Sequence, residues 1–126
     1  MENKKAIVLA IDDNLQQLSE FKSILVPKYD LRIAKSASEA IVFLNKNISD
    51  IILLDIEMPN ISGFEFLSDI RKIPSYISKP VIIVSGNSGE DFMKKANESS
   101  ASGVLKKPVR AETLIETIEK TLAKTS

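Results

Sequence analysis

Short apolar runs that each end on a polar or charged residue recur four times along the chain. They lie at residues 6–11 before Asp12 and Asp13, 51–54 before Asp55, 81–84 before Ser85, and 104–105 before Lys106, Lys107 and Pro108. The first three are apolar without alternation, which is typical of strands buried on both faces of a parallel sheet. A weaker strand with Arg32 among Leu31, Ile33 and Ala34 has the mixed character of a sheet edge.

Apolar residues at helical spacing fill the intervals between these strands and predict five helices. The inward stripes are Leu18, Phe21, Ile24 and Leu25; Ala37, Ala40, Ile41 and Leu44; Phe66, Leu67 and Ile70; Phe92, Met93 and Ala96; and Leu114, Ile115, Ile118 and Leu122. Ser36 with Glu39, and Ser62 with Glu65, have the spacing of capping boxes. The fourth helix, within 88–100, has the poorest stripe, so we expect it to be the most mobile element.

Alternation of strands and helices predicts an α/β fold. Because crossovers between parallel strands are right-handed, the expected architecture is a doubly wound five-stranded parallel sheet, with helices on both faces in three layers. Placing the mixed second strand at the edge gives the flavodoxin-like order 2-1-3-4-5. The switch point of this order, where such sheets bind ligands, lies between strands one and three.

Composition narrows the classes of function. The 126 residues are 44% hydrophobic, as expected for a single domain over 1–126, and 17 basic residues balance 17 acidic ones without any long basic stretch. We therefore expect neither nucleic acid nor a membrane surface as partner. The chain contains no cysteine and no histidine, which excludes disulfides, thiolate or imidazole metal sites and a Ser-His-Asp triad. With no secretory leader and no apolar run of membrane-spanning length, a soluble cytoplasmic protein is predicted.

The polar residues that end the predicted strands carry the candidate chemistry. Each alone is most simply a cap, a turn or a solvated charge. In a parallel sheet, however, the strand ends meet at one edge, which would gather Asp12, Asp13, Asp55, Ser85 and an ammonium group. Two carboxylates about 5 Å apart repel by roughly 3 kcal/mol at an effective dielectric near 20, so three together favour a bound cation. Oxygen ligands alone indicate Mg²⁺ or Mn²⁺.

These residues give the chain a resemblance to the receiver domains of two-component response regulators, over its whole length. The matching motifs are Asp12-Asp13, the aspartate of Leu53-Leu-Asp-Ile-Glu-Met-Pro59 with Gly63 beyond it, Ser85, and Lys107-Pro108. The resemblance implies that Asp55 accepts a phosphoryl group and that Ser85 and Lys107 contact its oxygens. It also implies that Asp12, Asp13, Asp55 and the backbone carbonyl of Glu57 hold Mg²⁺, and that the Lys107-Pro108 bond is cis.

The resemblance also implies partners and a mode of action. The donor would be a phosphohistidine on a sensor histidine kinase or a histidine phosphotransfer protein, or a small donor such as acetyl phosphate. The chain would be a signalling phosphoacceptor, not an enzyme, and would act on a downstream protein target that the sequence does not name. Since no linker or output domain follows the last helix, we expect a stand-alone receiver that signals by docking.

One position departs from the family pattern. Val104 stands where receivers often have an aromatic residue, so a rotating buried ring cannot report movement of the Ser85 hydroxyl. Switching is therefore predicted to rely on the backbone between Ser85 and Ser100. The resemblance further implies that Glu57 and Asn87 flank the access route to the phosphoryl group and tune its hydrolysis, in a direction that the sequence leaves open.

Two other classes of function are also considered. Asp55-Ile-Glu57 approaches the motif of an aspartyl-phosphate phosphatase of the haloacid dehalogenase type, although that type has aspartate at the third position and a substrate-covering cap. A flavodoxin-like FMN-binding module would share the sheet. It would need a phosphate-binding loop after strand one, where Asp12 and Asp13 would repel phosphate.

Overall fold

In the computed structural model, residues 4–59 and 61–125 are described, the side chain of Thr125 excepted. They form five parallel strands in the order β2-β1-β3-β4-β5, which confirms the predicted topology. The strands are β1 (Ile7–Ile11), β2 (Asp30–Ala34), β3 (Ile51–Asp55), β4 (Val81–Ser85) and β5 (Gly103–Lys106). The predicted domain limits at residues 1 and 126 lie outside the described residues.

Five α-helices connect and follow the strands within this described part of the chain. They are α1 (Leu15–Leu25), α2 (Ala37–Lys46), α3 (Gly63–Arg71), α4 (Glu90–Glu98) and α5 (Ala111–Thr125). The side chains of Asn14, Ser36 and Ser62 accept hydrogen bonds from the backbone at the starts of α1, α2 and α3. These bonds satisfy amides that have no partner inside the helix, which is why the helices begin there.

The sheet separates two apolar clusters because successive strand residues point to opposite faces. On one face, Leu9, Ile52 and Ile83 pack with the buried side chains of α2, α3 and α4. On the other face, the strands pack against α1 and α5; this cluster includes Val8, Leu53, Ile82, Phe21 and Ile118. Helices therefore cover both faces, and the carboxyl ends of the strands form one open edge between the helical layers.

Several local features differ from the sequence-based expectation. The Glu39 carboxylate accepts from the Lys35 amide instead of the Ser36 amide, so only the Ser36 half of that capping box forms as predicted. A 3₁₀ turn at Pro74–Tyr76, which the sequence did not reveal, lies between α3 and β4. In the edge strand β2, Ile33 is exposed as well as Arg32, so both faces of this strand are in part exposed and not only the face that carries Arg32.

Candidate functional site

Three carboxylates meet at the carboxyl edge of the sheet. β1 and β3 are neighbours with Ile11 opposite Leu54, so the next residue along each strand, Asp12 or Asp55, lies at the same level. The carboxylate oxygens of Asp12, Asp13 and Asp55 lie within 4.8 Å of one another. Asp12 and Asp55 are buried and Asp13 is exposed. The predicted gathering is therefore present, and its hard oxygen donors fit a divalent cation such as Mg²⁺.

An ammonium group faces these carboxylates. Lys107 Nζ lies 3.3 Å from Asp12 Oδ2 and 3.4 Å from Asp55 Oδ1. The backbone N–H of Lys107 donates to the Ser85 carbonyl, and the Lys107-Pro108 peptide bond is cis as the resemblance implied. Of the two adjacent lysines, Lys107 is thus the one whose side chain reaches the carboxylates.

Burial and neighbouring charges shift the pKa values of two groups at the site, Asp55 and Lys107. Burial raises the pKa of Asp55 above its ordinary value, and the nearby Asp12 charge raises it further, against the opposing effects of the Glu57 N–H and Lys107. Burial alone would lower the pKa of Lys107, but the charges of Asp55 and Asp12 outweigh it and leave that pKa raised. A positive charge added beside Asp55 would stabilise this carboxylate, because such a charge favours its ionised form.

A buried hydroxyl lies on the neighbouring strand. Ser85 ends β4 with no exposed surface, next to β3 in the sheet. Its hydroxyl donates to Glu57 Oε1 at 3.0 Å and accepts from the Asn87 N–H at 2.9 Å. Its position at the shared edge is the one predicted from the strand end.

The hydrogen bonds of the Glu57 side chain are the feature that the sequence analysis missed. The residue was expected to offer its backbone carbonyl to the metal and to flank the access route, but Glu57 Oε1 also accepts from the Ser85 hydroxyl and, at 2.8 Å, from the Gly86 N–H. Its own backbone N–H donates to Asp55 Oδ1 at 3.0 Å. The loop after β3 is therefore bonded both to the central carboxylate and to the loop after β4. A loop glutamate carries no signal in the sequence that distinguishes this position from a solvated one.

Two further residues that the sequence analysis named lie on β5 and in the β4–α4 loop. Val104 is half-buried on β5 and packs against the cluster that includes α3 and α4. Asn87 lies in the β4–α4 loop, where its side chain accepts from the Gly89 N–H. Neither residue contacts the three carboxylates through any hydrogen bond found among the residues described.

The arrangement joins three clustered carboxylates, one of them a buried nucleophile candidate, with an ammonium and a hydroxyl at one sheet edge. A family model for the response regulator receiver domain matches residues 8–119. The chain belongs to this family. The match favours the receiver hypothesis over a haloacid dehalogenase-type phosphatase or an FMN-binding module.

The curated relatives of this receiver domain are longer proteins, and the match covers only a part of each. It is 30% identical to the hydrogenase transcriptional regulatory protein HoxA of Cupriavidus necator, over 94% of this chain and 24% of HoxA. It is 34% identical to a protein-glutamate methylesterase/protein-glutamine glutaminase of Rhodopseudomonas palustris, over 86% and 30% of the two chains. It is 29% identical to the sensor histidine kinase RcsC of Salmonella typhimurium, over 92% and 12%. The chain thus spans less than a third of these relatives.

Solved receiver structures share the whole fold. The chemotaxis response regulator CheY4 of Vibrio cholerae superposes with a TM-score of 0.86 at 28% identity, covering 94% of this chain and 99% of CheY4. The receiver domain of the Francisella response regulator 1452 gives a TM-score of 0.87 at 27% identity, covering 96% and 99%. Among the helices described for the present receiver, none has both the length and the apolar character needed to cross a bilayer.

Proposed function

We propose that this receiver domain accepts a phosphoryl group on Asp55 in a Mg²⁺-dependent reaction and relays it as a signal. The donor would be a phosphohistidine on a sensor histidine kinase or a histidine phosphotransfer protein. The observation that carries the proposal is the position of Asp55, which is buried between two other carboxylates and 3.4 Å from the Lys107 ammonium. This combination suits a nucleophile whose product needs its charge neutralised.

The transfer step can be written from the groups at the site. A carboxylate oxygen of Asp55 forms a bond to phosphorus while the phosphorus–nitrogen bond of the donor breaks. The electrons of that bond go to the imidazole nitrogen, which takes a proton from solvent. Lys107 would offset the negative charge of the equatorial oxygens, and the Ser85 hydroxyl, which follows the β4 partner of Asp55 by one residue, would donate to one of them.

The residues present fit a hard divalent cation. Asp12, Asp13, Asp55 and the Glu57 backbone carbonyl would hold Mg²⁺, since all four offer oxygen ligands. When bound, Mg²⁺ would supply Lewis-acid charge to the phosphoryl oxygens and orient them. The protein supplies positioning and charge in place of a general base, in keeping with a chain that has no histidine.

The consequence of phosphorylation would be a change of binding surface. A phosphorylated carboxylate brings a charge of about −2 and three strong acceptors to the sheet edge, next to Ser85. We propose that the β4–α4 loop and α4 respond and alter docking on a downstream protein, so the chain acts as a signalling phosphoacceptor and not as an enzyme with a released product.

Intact-mass measurement with acetyl phosphate tests the acceptor. The wild type should gain the mass of one phosphoryl group when Mg²⁺ is present and none when the metal is chelated. Asp55→Asn should gain nothing. Asp69→Asn, which changes an exposed carboxylate on α3, is the matched control and should behave as the wild type. An adduct that persists in Asp55→Asn would overturn the assignment.

A further inference from the structure

The carboxylate of Glu57 occupies hydrogen-bond donors that a phosphoryl group on Asp55 would use. Its Oε1 accepts both from the Ser85 hydroxyl at 3.0 Å and from the Gly86 N–H at 2.8 Å. Ser85 itself is fully buried, and its oxygen also accepts from the Asn87 N–H. Glu57 therefore ties the start of the β4–α4 loop to the loop after β3.

This arrangement is incompatible with phosphoryl contact by Ser85. A serine hydroxyl has one hydrogen and can donate to one acceptor at full strength. If the hydroxyl donates to a phosphoryl oxygen, it must leave the Glu57 carboxylate. The two acceptors also repel, because one carries a full negative charge and the other about two.

We infer that Glu57 is a latch, its carboxylate taking the place of a phosphoryl oxygen at Ser85 and Gly86 until Asp55 is phosphorylated. The latch rests on the proposed function of Asp55. In the unphosphorylated protein it holds the β4–α4 loop against the β3–α3 loop. Phosphorylation must break it, so the latch opposes the phosphorylated arrangement and sets how readily the loop responds.

The bonding itself can be tested without any phosphoryl donor. Amide hydrogen exchange at Gly86 should be several-fold faster in Glu57→Ala than in the wild type, because the N–H loses its acceptor. Glu57→Gln keeps an acceptor of the same shape and should lie between them. Glu90→Gln removes a nearby exposed charge at the start of α4 and should match the wild type. Unchanged exchange in Glu57→Ala would overturn the latch.

The competition is tested with beryllofluoride, a phosphoryl mimic, in the presence of Mg²⁺. We expect Glu57→Ala to bind the mimic about tenfold more tightly than the wild type, which is the scale of one charge-assisted hydrogen bond. Glu57→Gln should bind with intermediate affinity and Glu90→Gln with wild-type affinity. Equal binding by all four proteins would overturn the latch, and weaker binding by both Glu57 variants would instead make Glu57 a ligand of the site.

The two proposals fail in different ways. If the wild type neither binds beryllofluoride nor accepts a phosphoryl group, the proposed function and the latch are both wrong. A wild type that takes both, beside Glu57 variants with unchanged affinity, overturns the latch alone. Circular dichroism of each variant confirms folding, and the nearly isosteric Glu57→Gln keeps the test decisive if Glu57→Ala does not fold.

Discussion

The two ends of α4 are attached to the rest of the protein in different ways. At its N-terminal end, the β4–α4 loop is held by the Glu57 carboxylate through Ser85 and Gly86. The helix itself begins at Glu90, and the preceding residue, Gly89, provides no side-chain cap. One exposed residue beside the carboxylate group thus ties this end to the β3–α3 loop.

The C-terminal end of α4 is anchored to α3 and β4. The Arg71 guanidinium donates to the Ser100 carbonyl at 2.7 Å and to the Ser100 hydroxyl at 3.2 Å. It also donates to the carbonyls of Tyr76 and Lys79, so it joins three segments. Next to it, the Ser102 N–H donates to the Val81 carbonyl at 2.7 Å.

The difference between the two attachments indicates which end of α4 can move when the carboxylate site changes. The anchor at Arg71 carries a permanent charge and acts at the C-terminal end of α4, whereas the carboxylates lie near its N-terminal end. The attachment at Glu57 competes directly with a phosphoryl group. We expect α4 to respond at its N-terminal end while its C-terminal end stays in place, as a segment does around a hinge.

Removal of the anchor should have the largest effect on stability. Arg71→Met leaves the carbonyls of Tyr76, Lys79 and Ser100 without this donor, and we expect the free energy of unfolding to fall by about 3 kcal/mol. Lys72→Met, which removes only an exposed pairing with Asp69, should change it by less than about 0.5 kcal/mol. Urea denaturation measures both. A loss below about 1 kcal/mol for Arg71→Met would mean that this end of α4 is not anchored as described.

Phosphorylation should act unequally on the two ends. We expect amide exchange within residues 86–98 to change by about tenfold on phosphorylation or on binding of beryllofluoride, and residues 99–106 to change much less. The wild type with and without the mimic provides the comparison, and Asp55→Asn provides the control. An unchanged 86–98 segment would refute switching through this backbone.

The charge on Asp55 should cost stability when no metal is bound. Because the folded state raises the pKa of Asp55, ionisation is less favourable there than in the unfolded chain. The stabilising contribution of protonated Asp55 is fully present below its pKa in the unfolded chain, about 3.9. It is lost as the pH rises through the pKa of Asp55 in the folded protein. Near neutral pH, Asp55→Asn should therefore be more stable than the wild type.

This stability difference should shrink as the pH is lowered toward about 4. Chemical denaturation in the presence of a metal chelator, at several pH values, measures it. Asp69→Asn should show little difference from the wild type at any pH, since that carboxylate is exposed. A difference between Asp55→Asn and wild type that widens as the pH falls would contradict the assigned direction.

A cap at the start of α4 should have the smallest effect. Gly89 has a φ of −64°, and an added Cβ would make an ordinary 3.4 Å contact with Asn87 Oδ1. Gly89→Ser should thus raise the free energy of unfolding by about 0.3 kcal/mol and slow exchange in α4. Faster exchange in Gly89→Ser would show that this end is held by something other than its cap.

The sequence predicted the fold and the gathering of carboxylates for a physical reason. Strands buried on both faces read as continuous apolar runs, and the topology then brings their ends to one edge, so Asp12, Asp55 and Ser85 could be placed together. The roles of these residues stay predictions until the experiments above are done. That Asp12 is buried while Asp13 is exposed became clear only from the structure.

Other contacts could not be predicted. Arg71 reaches Ser100, which is 29 residues away, and no periodic pattern encodes such a bond. Glu57 reaches Ser85 across 28 residues, from a loop where glutamate is ordinarily solvated. The 3₁₀ turn at Pro74–Tyr76 is too short to produce an apolar stripe. Each depends on how loops of adjacent strands lie against one another, which local sequence does not specify.

Gly63 limits which side chains fit at the start of α3, where the helix lies against Ile56. A Cβ at this first residue of α3 would come within 2.7 Å of the Ile56 carbonyl oxygen and Cα, closer than real side chains approach backbone. Any larger residue would push α3 away from the segment that carries Glu57. Mutational libraries of this protein should therefore tolerate many residues at exposed Glu65 but almost none at Gly63.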